Sequence, residues 1–281
     1  MNASKRYQIG EDIESGSQGR VVSAVDTLTN NVVAIKIIAI NNSIGEQGFS
    51  NEFTVHKLMK CKSKRICSVI DCFQIPNTLG FIVMEKYKED LFTTAFSKDK
   101  QISPKNSKKL FKRICRGVRD LHRSGVAHLD IKPENILIDE KGKPFLCDFG
   151  SSFALEQQIK GKIISRKARS TVKEALKARG TKIYAAPEVY QSGEYNPFSA
   201  DVYSLGVLLF VLVSALFPSS NPDGSIDLTP LKKQMNHRGF SLLTSLVDLK
   251  PENRPTIESV LACKWFESHK KVTESTLIAF K

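Results

Sequence analysis

Residues 128–137, with the sequence His-Leu-Asp-Ile-Lys-Pro-Glu-Asn-Ile-Leu, constrain this chain more than any other stretch. They place three different polar groups within six residues, namely the carboxylate of Asp130, the ammonium group of Lys132 and the amide of Asn135. A carboxylate can accept a proton, an ammonium group can neutralise a developing anion, and an amide oxygen can bind a hard cation such as Mg²⁺. Apolar residues flank the stretch on both sides, which predicts a loop held between two buried strands.

A second motif, Asp148-Phe149-Gly150, follows Asn135 by thirteen residues. It combines an acid, a large apolar side chain and a glycine that can act as a hinge. The simpler interpretation of the first stretch is a turn around Pro133 with solvated charges. The second motif at this spacing argues against that interpretation.

At these residues the chain resembles the eukaryotic protein kinases, whose catalytic loop and metal-binding tripeptide have this form. The resemblance runs from about residue 7 to residue 266 and includes further motifs in the same order. It implies an α+β, two-lobed fold with a small β-rich N-lobe and a larger, mostly α-helical C-lobe. We expect a single kinase domain over residues 1–281, divided into an N-lobe at 7–85, a hinge at 86–90, a C-lobe at 91–267 and a tail at 268–281.

The first part of the N-lobe contains a degenerate copy of the kinase glycine-rich loop. Runs rich in Val and Ile predict short strands at residues 7–13, 21–26 and 32–38. The first connection, residues 14–21, resembles the loop whose backbone N–H groups close over phosphates. Gly16 and Gly19 are kept, but Glu14 stands where the first glycine is usual, so the loop alone is weak evidence.

Lys36 ends the third strand in the sequence Val-Ala-Ile-Lys, where a buried lysine needs a charged partner. Residues 46–60 show a helical pattern, with an inward face formed by Phe49, Phe53, His56 and Met59. By resemblance this helix supplies Glu52, and a Lys36–Glu52 ion pair would orient Lys36 toward the α- and β-phosphates of ATP. A solvated helix glutamate is the alternative interpretation of Glu52.

The resemblance also implies a nucleotide pocket between the lobes. Strands at 66–74 and 79–85 would lead to the hinge, with Met84 at the back of the adenine site and backbone groups of Glu85 and Tyr87 bonded to the base. Asp90 would contact the ribose or the substrate, and a helix N-cap is an equal alternative. The other nucleotide-binding residues implied are Ile13, Gly16, Gly19, Val21, Ala34, Lys36, Leu137 and Cys147, with Val21 and Ala34 as the roof and Leu137 as the floor.

The implied chemistry is transfer of the γ-phosphoryl group of Mg-ATP to a Ser or Thr hydroxyl of a protein. Asp130 would accept the proton of the hydroxyl, Lys132 would stabilise charge on the transferring group, and Asn135 and Asp148 would bind Mg²⁺. The catalytic set is therefore Asp130, Lys132, Lys36 and Glu52. A pseudokinase that binds nucleotide or partners without turnover is the alternative, supported by Glu14 and by His56, which stands where an apolar residue is usual.

The C-lobe should be built on two buried helices. Residues 107–123 carry apolar side chains at helical spacing before Gly125, and residues 205–217 form the longest apolar run, too short to span a bilayer. By resemblance, Asp201 would bond the backbone of the catalytic loop. Arg254 would form a buried ion pair with Glu188.

Residues 148–188 resemble the kinase activation segment and hold nine Lys or Arg against two Glu between their functional ends. More than half of the chain's formal charge of +13 therefore lies in one segment, so we expect docking of an acidic or phosphorylated partner rather than nucleic acid. A capping box predicts a short helix at 171–180, and Thr181 with Lys132 indicates Ser/Thr specificity.

Leu129 stands where many kinases carry an arginine that binds a phosphate on the activation segment. Basal activity should therefore not depend strongly on that phosphate.

Nothing else in the sequence indicates a membrane, a metal cluster or secretion. Its first residues are polar with no apolar segment after them, so we see no secretory signal, and we expect a cytoplasmic or nuclear protein. The six cysteines lack zinc-site spacing and the density of a disulfide scaffold, so they should be reduced thiols. We expect a monomer.

Overall fold

An antiparallel five-stranded sheet forms the small lobe of the computed structural model, which describes residues 6–16, 19–96, 102–154, 183–191 and 194–267. Its strands are β1 (Tyr7–Gly16), β2 (Gly19–Asp26), β3 (Asn31–Ala39), β4 (Val69–Ile75) and β5 (Leu79–Glu85), in the order β1-β2-β3-β5-β4. The predicted strands are present, but β4 begins at Val69, because Ile66 instead forms an isolated bridge with Leu146. The predicted helix at 171–180 and the tail at 268–281 lie outside the described residues.

The two faces of the sheet pack against different parts of the protein, because side chains alternate between the faces along each strand. Val33 and Ile35 of β3 point into a small core with Tyr7. Ala34 and Ile38 point to the opposite face, where they pack with Met84 and other residues of the interlobe region. Lys36 shares this second face by the same alternation, so the strand directs its amine toward the space between the lobes.

Helix α1 (Ser43–Met59) crosses that face and begins three residues before its predicted start. The side chain of Asn42 caps it by accepting a hydrogen bond from Gly45 N at 2.9 Å. The predicted position of Phe53 on the inward face is wrong, since 43% of this residue is exposed. A helix turns 100° per residue, and the buried stripe runs through Glu52 and its i+4 neighbour, which leaves Phe53 at its edge.

The large lobe consists mostly of helices, namely α2 (Leu91–Phe96), α3 (Pro104–Arg123), α4 (Pro197–Ser214), α5 (His237–Leu246) and α6 (Ile257–Ala262). Short strands β6 (Glu89–Asp90), β8 (Ile136–Ile138) and β9 (Pro144–Leu146) form one sheet, and β7 (Val126–Ala127) pairs with β10 (Phe153–Ala154). Gly125 ends α3 with φ of 73°, as its predicted role as a stop signal requires. The predicted two-lobed α+β fold is therefore confirmed.

Helix α4 is the central helix of the large lobe, and its predicted C-terminal end is wrong. The apolar run continues to Phe217, but Ala215 adopts the left-handed conformation with φ of 54° and ends the helix at Ser214. As a result Leu216 and Phe217 are about half exposed, at 53% and 50%. By length and composition alone α4 could cross a membrane, but 72% of it is buried inside the protein, as expected of a core helix.

Candidate active site

The catalytic loop lies between β7 and β8, as predicted, and its polar groups bond to one another. A short 3₁₀ turn at Pro133–Asn135 brings the Asn135 side chain back toward Asp130. Asn135 Nδ2 donates to the backbone oxygen and to Oδ2 of Asp130, both at 2.8 Å. Lys132 Nζ lies 3.1 Å from the same Oδ2 atom. Two donors therefore fix the carboxylate of Asp130 in one orientation.

The buried carboxylate of Asp201 binds the backbone of the catalytic loop. Asp201 of α4 is fully buried and accepts hydrogen bonds from His128 N and Leu129 N, both at 2.8 Å. His122 Nε2 lies 2.8 Å from the same carboxylate. Leu129 adopts φ of 62°, a conformation that costs a non-glycine residue roughly 1–3 kcal/mol. The predicted contact of Asp201 with the loop backbone is confirmed, and it holds the strained residue in place.

Lys36 joins the two lobes through two carboxylates. Its Nζ lies 2.8 Å from Glu52 Oε2, as predicted, and 2.8 Å from Asp148 Oδ1. Burial alone would lower the pKa of Lys36, but the negative charges of Asp148 and Glu52 outweigh it and raise the pKa. The amine is therefore charged at neutral pH and positioned between helix α1 and the start of the activation segment.

A cavity of about 400 Å³ lies beside these residues and has the size of a small-ligand site. All residues predicted to bind the nucleotide line it, namely Ile13, Gly16, Gly19, Val21, Ala34, Lys36, Met84, Glu85, Tyr87, Asp90, Leu137 and Cys147. Glu52, Lys132, Asn135 and Asp148 also line the cavity, whereas Asp130 is not among its lining residues. The cavity thus brings together the predicted nucleotide-binding and metal-binding residues.

Gly19 shows why this copy of the glycine-rich loop keeps a glycine at that position. Its φ is 122°, and a Cβ atom there would come within 2.2 Å of the backbone oxygen of Ile37. Any other residue would push β2 away from β3. Gly16, by contrast, has open space where a Cβ would point.

Tyr87 and Asp90, both predicted to contact the nucleotide, also make structural contacts within the protein. Tyr87 accepts a hydrogen bond from Ser68 N at 3.1 Å through its hydroxyl group, and its ring packs against Phe145. Asp90 caps helix α2, since its carboxylate accepts from Thr93 N at 2.7 Å and from Thr93 Oγ1 at 3.0 Å. The helix-cap interpretation of Asp90 is confirmed, while its contact with a ribose stays a prediction.

The oxygen donors at one end of the cavity fit Mg²⁺. Asp148 presents a carboxylate and adopts the left-handed conformation, with φ of 60°. Asn135 adds an amide oxygen, because its Nδ2 is used by Asp130. Within the described ranges no group of three or more His, Cys, Asp or Glu residues could hold a metal ion. Two protein oxygens suit a cation that binds one or two carboxylates and completes its shell with phosphates and water.

Two histidines enclose Phe149, a contact that sequence analysis missed. Ring centroids of His56 and Phe149 are 5.1 Å apart at an edge-on angle of 84°, and those of His128 and Phe149 are 5.0 Å apart. His56 is 7% exposed and lies 3.9 Å from Glu52 Oε1. The histidine at an unusual position therefore packs as an aromatic ring, in the place expected for an apolar residue.

Cys147 lies at the wall of the cavity, as expected, but its thiol is a poor nucleophile. Only 9% of the residue is exposed. Burial, followed by the neighbouring Cys67 and Asp148, raises the pKa of the Cys147 thiol well above its usual value. Very little of the reactive thiolate form exists at neutral pH.

Comparison with known proteins agrees with this geometry. Residues 7–266 match the family model described as the protein kinase domain, so the chain belongs to the protein kinase family. It is 31% identical to CBL-interacting protein kinase 32 of Oryza sativa subsp. japonica, over 96% of this chain and 60% of the relative. It is 29% identical to CBL-interacting serine/threonine-protein kinase 26 of Arabidopsis thaliana, over 95% of this chain and 60% of the relative. The chain thus spans about three-fifths of the length of these relatives.

Proposed function

We propose that this chain is an active serine/threonine protein kinase that uses Mg-ATP. The observation that carries the proposal is the bridge from Lys36 to both Glu52 and Asp148, at 2.8 Å each. It aligns helix α1, the β3 strand and the metal-binding acid around one cavity. Relatives named as serine/threonine kinases support the choice of acceptor.

ATP fits the cavity by chemistry as well as by size. Apolar side chains of Val21, Ala34, Met84 and Leu137 line one part of it, which suits a purine base. Lys36, Asn135 and Asp148 line the polar part, which suits phosphates with their cation. Asp148 and Asn135 would hold Mg²⁺, which would neutralise the charge that develops on the β- and γ-phosphate oxygens.

The catalytic loop would orient the acceptor hydroxyl and receive its proton. Asp130 is the proton acceptor, and its orientation is fixed by Asn135 Nδ2 at 2.8 Å. Lys132 lies 3.1 Å from this carboxylate and places a positive charge next to the transferring group. Such preorganised charge is typically the largest single contribution to catalysis of this kind.

Glu134 favours a basic side chain in the substrate. Its Oε2 atom is buried and has no hydrogen-bond partner among the described residues, and burial raises the pKa of its carboxyl group. An arginine or lysine before the target hydroxyl would supply the missing donor and a positive charge beside this carboxyl group. Asp90, which lines the cavity, would favour the same choice.

The proposal also covers the partners, the location and the oligomeric state of the protein. The basic activation segment would dock an acidic or phosphorylated protein partner, because more than half of the chain's net formal charge of +13 lies there. We expect a monomer in the cytoplasm or nucleus that acts on proteins, with neither a membrane nor nucleic acid as its partner.

A positional peptide-library phosphorylation assay tests activity and specificity together. Wild-type protein with Mg-ATP should phosphorylate Ser and Thr peptides, with enrichment of Arg or Lys before the acceptor. Asp130→Asn is the matched control, since it keeps the shape of the side chain and removes the proton acceptor. Equal activity in the control would reveal a contaminating kinase. Absence of any activity, together with absence of Mg-dependent ATP binding, would establish the pseudokinase alternative.

A further inference from the structure

Asn51 joins helix α1 to the turn that follows Asp148. The residue is 4% exposed and immediately precedes Glu52 in the helix. Its Nδ2 donates to the backbone oxygens of Gly150 at 3.1 Å and of Ser152 at 3.3 Å. Its Oδ1 accepts a hydrogen bond from Gln47 Nε2 at 2.7 Å, so both ends of the amide are engaged.

The turn held by Asn51 is the one that orients Asp148. Ser152 donates to the backbone oxygen of Phe149 through its N at 3.0 Å and its Oγ at 2.7 Å. Gly150 N donates to Asp148 Oδ1 at 3.3 Å. A shift of the two carbonyl groups away from Asn51 would therefore move the turn that follows Asp148, including Gly150, whose N–H group binds the Asp148 carboxylate.

Gly48 of helix α1 also faces this turn. A Cβ atom at Gly48 would lie 3.9 Å from the backbone oxygen of Gly150, an ordinary van der Waals distance. Gly48 and Asn51 together thus form a contact surface of the helix that is separate from the Lys36–Glu52 ion pair.

We propose that Asn51 is a positioning residue that couples the location of helix α1 to the orientation of Asp148. The inference rests on the proposed kinase function and adds a second link to the one made by Lys36. All groups in this link are neutral amides and carbonyls, so the link requires neither an added charge nor a particular protonation state. Helix α1 and the metal-binding acid would move as one unit.

Steady-state kinetics of Asn51→Leu, a variant of similar volume without donors, tests the proposal. We expect kcat to fall at least tenfold and the KM for ATP to change less than threefold, because Asn51 is not among the residues that line the nucleotide cavity. Asn51→Gln keeps a primary amide and should retain more activity than Asn51→Leu. Gln47→Ala is the matched control, since it removes one hydrogen bond and leaves both Nδ2 contacts, so kcat should stay within threefold.

Hydrogen exchange provides a readout that does not depend on turnover. Backbone amides of residues 149–153 should exchange faster in Asn51→Leu than in the wild type, while those of β2 and β3 stay unchanged. If Asn51→Leu does not fold, Asn51→Ala removes the same donors without bulk. A lower Tm with unchanged kcat and unchanged exchange would overturn the proposal, and so would equal losses in Asn51→Leu and Gln47→Ala. An inactive wild type would instead refute the kinase function, while exchange would still test the link.

Discussion

Loss of one partner of the Arg254–Glu188 ion pair should strongly destabilise the large lobe. The guanidinium group is fully buried and bonds Glu188 with two nitrogens, at 2.6 and 2.9 Å. It also donates to the backbone oxygens of Asp248 at 2.8 Å and Ser199 at 3.1 Å. The ion pair was predicted from the resemblance, and the additional contacts tie the end of the activation segment to α4 and to the loop before α6.

Arg254→Leu should therefore destabilise the protein severely. It leaves the Glu188 carboxylate, whose side chain is only 11% exposed, without its partner. Removal of one member of a buried ion pair costs roughly 3–5 kcal/mol. For a domain of this size that loss lowers Tm by roughly 6–20 °C. Arg254→Lys should lie in between, because lysine keeps the charge but loses the two-pronged geometry.

Differential scanning calorimetry with a matched surface control measures the effect. Arg123 pairs with Glu258 at 3.2 Å, but the two side chains are 61% and 50% exposed. Exposed pairs contribute about 0–1 kcal/mol, so Arg123→Ala should change Tm by at most a few degrees. Equal decreases in Tm for Arg254→Leu and Arg123→Ala would refute the conclusion that loss of a buried ion pair costs more stability than loss of an exposed one.

Two further predictions concern regulation and labelling. Leu129 carries no charge that could bind a phosphate on the activation segment. Phosphatase treatment should therefore change kcat/KM by less than about tenfold, which corresponds to about 1.4 kcal/mol. A hundredfold drop in kcat/KM that phosphorylation at Ser165, Ser170 or Thr171 restores would contradict this prediction. Because the pKa of Cys147 is raised, mainly by burial, an acrylamide-bearing ATP-site ligand should label it slowly at pH 7 and about tenfold faster per pH unit above that. Labelling at a rate independent of pH would contradict the raised pKa, and labelling unaffected by Mg-ATP would place the thiol outside the cavity.

The contacts that could be predicted from sequence are those made by charged residues at fixed places in motifs. Lys36 with Glu52, and Asp201 with the catalytic loop, were expected from the resemblance to the kinase family. For Lys36 the need for a charged partner also followed from its place in a buried strand. The second partner of Lys36, Asp148, was missed because it comes from another lobe, and the pattern does not specify how the lobes meet.

Positions where packing decides the outcome were predicted less well. Phe53 fits a helical apolar pattern, but the precise rotation of α1 leaves it exposed. The run that ends at Phe217 is apolar throughout, and only the left-handed backbone at Ala215 ends the helix earlier. Asn51 gave no signal, since a polar residue on a helix is ordinarily solvated and its two carbonyl partners come from a distant turn.

Transfer of phosphate from γ-labelled ATP to a Ser/Thr peptide tests the central claim most directly. The account predicts Mg-dependent transfer by the wild type. Lys36→Met and Asp148→Ala should reduce it to the background level while the circular dichroism spectrum remains native. Lys36→Met removes the centre of the bridge between Glu52 and Asp148, and Asp148→Ala removes one end of it. Transfer that persists in both variants would contradict the assignment of these residues. A wild type that neither transfers phosphate nor gains Tm with Mg-ATP would contradict the kinase function itself.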